Sequence, residues 1–429
     1  VQPPTSVSDA ASDVLNLNLS DLDGFWTQSI ERRHTAFNTL RERPELPFFD
    51  QPQLWFTPPG PGYYALTKLD DIVEASRQPK IFTSGKGATS AADMPAEFLE
   101  FYGSMINMDD PRHSRLRRIV SRGFTPRMLD ALTDNVAKVA TRIVDEVIEN
   151  GPCDAVSAIS AKLPLTIVCD MMGIPASQHQ LVFERTNVIL GAADPEYVPD
   201  AENIVTALLS AGADLAQVMR DLAAHRAAHP TDDLTSALVN AQIDGETLTP
   251  DELASFFILL VVAGNETTRN AITWGLHLLT EYPEQRATWL ADIDGVTPTA
   301  VEEIVRWASP VIFMRRTLAE SAQLGGQQLE AGAKVLMYYW AANRDPKYFT
   351  DPDRFDVLRS PNPHIGFGGP GPHFCLGAHL ARREISVMFR ELLSRVPDIH
   401  ATAAPSRLTS AFINGIKHLP IDFGTGGTR

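Results

Sequence analysis

Cysteine is scarce in this chain: Cys153, Cys169 and Cys375 are the three among 429 residues. Three cannot build a disulfide framework for a protein of this length, and a reducing compartment is their simplest setting. Long apolar runs are also lacking. The longest, Phe256 to Gly264, falls far short of the roughly 20 residues that span a bilayer. The N-terminus has neither the basic start nor the apolar block of a signal peptide. These absences predict a cytoplasmic protein with no stable membrane insertion. Positive charge is short as well. Lys plus Arg is 37 against 53 for Asp plus Glu, a net charge of −16. Nucleic-acid binding needs many phosphate-neutralising cations, so no nucleic-acid partner is expected. An anionic lipid surface is disfavoured for the same reason.

What is present is an ordinary globular mix, 44% hydrophobic and 21% charged. No repeat and no Gly/Ser linker divides it. Residues 1–20, polar with Pro3 and Pro4, read as a flexible segment, and residues 21–429 as a single domain. Periodicity predicts helices over 69–77, 111–121, 126–150, 158–172, 178–190, 201–229, 250–282, 283–291, 299–308 and 376–396. Short strands fit 63–66, parts of 316–339 and parts of 405–421. The fold class is mainly α with small β-sheets.

The helix from Pro250 is the longest, and its first half is apolar all round, as a buried helix must be. It then reads Gly264-Asn265-Glu266-Thr267-Thr268. Glycine costs about 1 kcal/mol against alanine in a helix interior, and an unpartnered buried carboxylate costs more. Either this face emerges into solvent, or it forms a groove with a hydroxyl and a carboxyl that hold a small ligand and relay protons.

Glu303 and Arg306 are three apart and can pair on one helix face. Ile304, Val305 and Trp307 around them predict partial burial, with Arg354 as the third charge. The segment His364–Gly377 holds four glycines and two prolines between His364 and Cys375, and a helix follows at once. Free N–H groups at a helix start favour a thiolate at Cys375. Such a thiolate is a nucleophile or a metal ligand. Zinc and iron–sulfur sites need more cysteines at close spacing. A single thiolate to haem iron needs one, and a Cys-His hydrolase using His373 or a remote histidine needs one. An inert buried cysteine is the third possibility.

Together the segments resemble the cytochrome P450 superfamily of haem-thiolate monooxygenases. The groove motif at 263–268, the Glu303–Arg306 pair with Arg354 and the loop from Phe367 to Gly377 occur in the family's order. The loop is one residue longer than the common form, as in actinobacterial sterol and methyl-branched lipid hydroxylases. The resemblance implies a fold with haem between the long central helix and the cysteine loop. It implies haem b as cofactor and molecular oxygen as co-substrate. Cys375 is then the axial iron ligand, and Thr267 and Glu266 deliver protons. His113, Arg117, Arg316 and His373 match positions that hold the haem propionates, with Phe367 and Gly377 of the loop as further cofactor-binding residues. Glu303, Arg306 and Arg354 are structural.

By the same layout, Leu259, Val262, Ala263, Val311, Phe313 and Phe412 line the substrate pocket, and a mobile stretch over 84–106 covers its mouth. Their apolar character suggests a lipid-like substrate. The resemblance narrows it to a methyl-branched fatty acid, an isoprenoid or a sterol side chain, oxidised near its end. Electrons come from a ferredoxin and ferredoxin reductase. Arg112, Arg115, Arg117, Arg118, Arg122 and Arg127, in a stretch without acids, offer an acidic partner a docking face. The rival readings are a non-oxygenating haem protein such as a peroxygenase, isomerase or sensor, a macrolide- or terpenoid-tailoring hydroxylase, and a thiol hydrolase.

Overall fold

Thr249 starts the element around which the others are arranged. Its hydroxyl accepts from the Glu252 N–H at 3.1 Å, and its own N–H donates to the Glu252 carboxylate at 3.0 Å. This reciprocal cap satisfies two amides that the first turn leaves orphaned. Pro250 takes the first position, where a missing N–H does no harm. The helix Pro250–Glu281 runs 32 residues, about 48 Å at 1.5 Å per residue. The computed structural model describes residues 17–52, 57, 60–123, 126–240 and 247–423, without the side chains of 122, 123, 126–131 and 201. Most of the segment expected to be flexible, residues 1–16, lies outside the described residues. From Leu19 the chain is already packed, and the Leu19 carbonyl accepts from Trp26 Nε1 at 2.8 Å.

Helices Lys162–Met172, His179–Leu190, Ile204–Ala228, Ile293–Ala308 and Ala378–Arg395 pack against the long helix. Its Phe256, Phe257, Val261 and Ile272 belong to the main core. Trp274 Nε1 donates to the Asn414 carbonyl at 2.8 Å and ties the helix to the C-terminal strands. Beside this helical body lies a five-stranded sheet, in the order Phe48–Phe49, Tyr63–Leu66, Lys334–Tyr338, Phe313–Leu318, Phe82–Thr83. Tyr63–Leu66 and Lys334–Tyr338 pair in parallel, and the other pairs are antiparallel. The central strand is buried along its length. Burial on both faces explains its continuous apolar run, and its one charge, Lys334, meets Asp93 at 2.9 Å.

Three helices, Leu69–Arg77, Pro126–Asn150 and Pro283–Ala291, begin and end where the periodicity places them. Others differ for identifiable reasons. Ile30–Arg41 carries no clean apolar stripe, because Arg33 and Arg41 are among its inward residues. Arg33 lies over the Trp26 and Trp340 rings, and Arg41 donates to the Ala341 carbonyl. Ala96–Gly103 forms a helix within the stretch expected to be a loose cover. The helix expected from Thr299 begins at Ile293, capped by Asp292, and carries Pro298 inside it. Pro298, just ahead of the expected start, is here an interior residue.

That helix carries Glu303 and Arg306, both fully enclosed. Arg306 holds Glu303 by two hydrogen bonds of 2.7 and 2.8 Å. The expected third charge is corrected here: it is Arg359, whose Nε lies 3.1 and 3.0 Å from the two Glu303 oxygens. Arg354 has an exposed side chain and contributes its backbone carbonyl, which accepts from both Arg306 and Arg359. The Asp356 N–H and Asn362 Nδ2 complete the carboxylate's shell. One buried anion thereby fixes the irregular chain from 343 to 362, just ahead of the cysteine loop. Breaking such a pair strands a buried charge, at about 3–5 kcal/mol. Arg359→Ala is therefore expected to lower unfolding stability by about that amount, while Arg354→Ala stays within about 0.5 kcal/mol, as surface changes do. Denaturant titration of the two variants checks it; equal losses would contradict the reassignment.

Candidate active site

The long helix is buried at 253–258 and again at 268–276, yet between them Ala263 is exposed and Leu259, Leu260, Val262, Gly264 and Thr267 are partly so. A helix covered on both sides is thus open over this segment. Thr267 stands one turn after Ala263 and donates its hydroxyl to the Ala263 carbonyl at 2.7 Å. A side chain at Gly264 would meet Val168 only at 4.0 Å, so the glycine leaves a gap in the helix surface. Glu266 differs from its neighbour. Its carboxylate is enclosed and paired with Arg269 and Asn270 rather than displayed in the groove.

The helix Ala378–Arg395, which packs against the long helix, is entered from the cysteine loop. Gly377 caps it, so Cys375 sits two residues ahead of the cap. The loop is a set of tight turns: the Cys375 N–H donates to the Phe367 carbonyl at 3.0 Å, and the Phe374 N–H to that of Gly371. Gly371 has φ +151, and a Cβ there would lie 2.5 Å from the Ser76 carbonyl oxygen, so the loop presses on Leu69–Arg77. Arg382 stacks over the Phe367 ring at 4.2 Å and donates twice to Glu302. His364 Nε2 reaches Glu302 at 2.9 Å. Burial alone would raise the Glu302 carboxyl, but the Arg382 and His364 bonds outweigh it and hold its pKa at about 2. The sequence reading missed this clamp, although Glu302 lies next to Glu303.

Cys375 is accessible, but the protein gathered around it pushes its thiol above the usual range, against the Gly377 N–H and the charges of Arg117 and Arg382. A raised thiol suits a nucleophile poorly. A metal cation, by contrast, deprotonates a coordinating thiol outright. A hydrolase also needs a base in hydrogen-bond reach. Among the described residues no histidine bonds Cys375: His373 Nε2 is engaged with Ser84 Oγ at 3.1 Å. Among them, too, no three His, Cys, Asp or Glu side chains gather as a metal cage.

Next to the cysteine, His113 and Arg117 from helix Arg112–Gly123, Arg316 from strand Phe313–Leu318, and His373 from the loop come together. The His113 and His373 rings lie 4.2 Å apart. Arg117 donates to the Phe374 carbonyl at 2.7 Å and Arg316 to that of Arg315 at 2.7 Å. Neither guanidinium pairs with a carboxylate among the described residues. His113 Nε2 is enclosed without a partner. Burial first, then Arg316, His113 and Arg117, push His373 down to about 2. Burial and Arg117 lower His113 as well. Two guanidiniums without a direct carboxylate partner, beside an enclosed imidazole nitrogen that makes no bond, form a receptor for anions. Haem b, with one iron and two carboxylates, fits this set beside Cys375.

The expected pocket residues divide. Leu259, Val262, Val311 and Phe412 are partly buried and Ala263 is open. Phe313 is corrected: it packs into the sheet core, 5.6 Å from the Tyr338 ring and 5.5 Å from that of Phe412. Inside a strand whose neighbours are covered, its apolar character serves the core. A separate groove of about 540 Å³ lies near His277, Glu281 and Arg407 and shares none of these residues. The basic helix is less free than its sequence suggests, since Arg112 pairs with Glu100 at 2.7 Å and Arg115 with Glu252 at 2.8 Å. The side chains of Arg122 and Arg127 lie outside the described residues.

A lone accessible cysteine on a glycine loop, a cation cradle beside it and a central helix open at a threonine define a haem-thiolate monooxygenase. The chain belongs to the cytochrome P450 family, whose model matches residues 213–396. It is 51% identical, over 95% of both chains, to the methyl-branched lipid omega-hydroxylase of Mycobacterium tuberculosis. It is 39% identical to the steroid C26-monooxygenase of Rhodococcus jostii, over 87% of this chain and 79% of that protein. A Mycobacterium marinum cytochrome P450 solved in complex with pseudoionone superposes with a TM-score of 0.90, at 42% identity, over 99% of this chain and 100% of that one. Among the described residues no helix is long and apolar enough to cross a membrane. Cys375→Ala is expected to keep the fold by circular dichroism but lose the carbon monoxide difference band from which the family takes its name. A variant that retains the band contradicts the assignment of Cys375.

Proposed function

We propose that this enzyme hydroxylates the end of a methyl-branched fatty acyl or isoprenoid chain, with electrons from a ferredoxin and its reductase. The observation that carries the substrate class is the 51% identity, over 95% of both chains, with methyl-branched lipid omega-hydroxylases. The groove supports it. Leu259, Val262 and Ala263 offer area and no polar group, and apolar contact stabilises binding by about 25 cal/mol per Å². A compact polar ligand would leave hydrogen bonds unmade, at about 1–3 kcal/mol each. A steroid side chain is the second reading, favoured by the identity with steroid C26-monooxygenases.

Bound haem b supplies oxygen activation and one-electron chemistry. The chain's own residues do the rest. Cys375 would hold the iron, and His113, Arg117, Arg316 and His373 would orient the group through its carboxylates. Thr267, the one hydroxyl on the open segment of the helix, exchanges its bond to Ala263 for a bond into the groove and passes a proton there. Glu266, one residue upstream, is the carboxylate that resupplies it. The apolar walls exclude bulk water, which protects the reaction from side losses.

Thr267→Ala should leave haem content and substrate affinity nearly unchanged while product per reduced nicotinamide falls. General acid–base groups typically contribute roughly 10²–10⁴-fold. Unchanged coupling with the best substrate counts against the role. For the substrate, spectral titration is expected to give roughly micromolar binding, about 8 kcal/mol, for branched acyl or isoprenoid chains, with terminal alcohols as products by mass spectrometry. Tight binding of a macrolide or a small polar aromatic, with every branched lipid failing, would overturn the substrate reading alone.

A further inference from the structure

Asn265 sits one residue before Glu266 and is 0% exposed, yet neither its Oδ1 nor its Nδ2 has a partner. Two further enclosed atoms on the same turn are unpartnered, Glu266 Oε2 and Arg269 Nε. The remaining atoms of these two side chains are occupied. Glu266 Oε1 accepts from Arg269 and from Asn270 Nδ2, and Arg269 Nη1 donates to Asn187 Oδ1 at 2.9 Å. Asn265 and Arg269 are four apart and share a helix face, and Arg269 reaches across to Glu266. This turn thus carries two acceptors and two donors without partners, all shut off from bulk solvent.

Leaving such atoms bare is costly, and interiors meet the need with ordered water, which typically makes about three hydrogen bonds. One water donates two and accepts two, the complement of Oδ1, Oε2, Nδ2 and Nε. An apolar residue at 265 would have fitted the buried face that Ile258, Val261 and Ile272 form on this helix. The amide is therefore unexplained by packing.

We propose that Asn265 is a positioning residue for proton delivery: with Arg269 it holds buried water against the free oxygen of Glu266. The water keeps the carboxylate oriented and its free oxygen hydrogen-bonded inside an apolar helix. This inference rests on the role proposed above for Glu266 and Thr267.

The test uses the haem-loaded enzyme and its best-binding branched lipid. Asn265→Leu keeps the branching and the number of side-chain heavy atoms and removes both amide atoms. It should lower product per reduced nicotinamide by roughly tenfold, the order expected when a buried hydrogen-bond partner is lost. It should also change the solvent deuterium isotope effect on turnover, with haem content and substrate affinity kept. Asn265→Ser, which keeps a hydroxyl and leaves room for water, should restore coupling. Where Asn265→Leu does not fold, Asn265→Val carries the same test. Apart from activity, a crystal structure of the unaltered enzyme should show ordered water bonded to Asn265 and Arg269. A dry enclosure, or wild-type coupling in the apolar variant, overturns the proposal. If Thr267→Ala uncouples and Asn265→Leu does not, this inference falls and the relay reading stands; if neither uncouples, both fall.

Discussion

Two guanidiniums, Arg117 and Arg316, stand beside one cysteine with no carboxylate on them among the described residues, and the site is organised by that imbalance. Charge withdrawn from water without a counter-ion is costly, and a fold keeps such an arrangement where an anionic ligand completes it. Arg117 links the cradle to the thiol, since it holds the Phe374 carbonyl and its charge acts on Cys375. His113 and His373, both pushed down by burial and by these cations, add no further charge to the cradle. Iron and carboxylate receptors therefore meet from three separate elements: helix Arg112–Gly123, strand Phe313–Leu318 and the cysteine loop.

Holding the cysteine loop in place is a second electrostatic device of opposite character. Glu303 is a single buried anion whose oxygens take every bond offered by Arg306, Arg359, Asp356 N–H and Asn362. Here the charge is compensated and the geometry is rigid. Glu302, the next residue back, clamps His364 and Arg382 at the two ends of the cysteine loop. Adjacent acids on one helix thus fix the approach to the loop and the loop itself. These compensated clusters hold the part of the chain that brings His373 and Cys375 to the cradle.

Much of this was legible in the sequence, where the signal is local. The Thr249–Glu252 cap, the interrupted apolar helix and the glycine loop each announce themselves within a dozen residues, and so does the Glu303–Arg306 pair. What was not legible depends on tertiary choice. Arg354 and Arg359 both follow the same irregular segment, and nothing local says which side chain turns inward to Glu303. Phe313 and Phe412 are equally apolar, and strand packing alone sends Phe313 into the core. Helix Ile30–Arg41 escaped because buried arginines over tryptophan rings do not look like a core stripe. Asn265 and Arg269 read as a polar stretch until their enclosure is known.

The most direct test of the central claim is reconstitution of the haem-free protein with haem b and with its dimethyl ester, which keeps the iron and lacks the two carboxylates. If Arg117 and Arg316 need those carboxylates, haem b binds much more tightly than the ester. Replacing Arg316 by leucine then narrows the gap between them. Equal affinity for the two, with Cys375 ligating iron in both, would show that the cradle is not what selects and seats the cofactor.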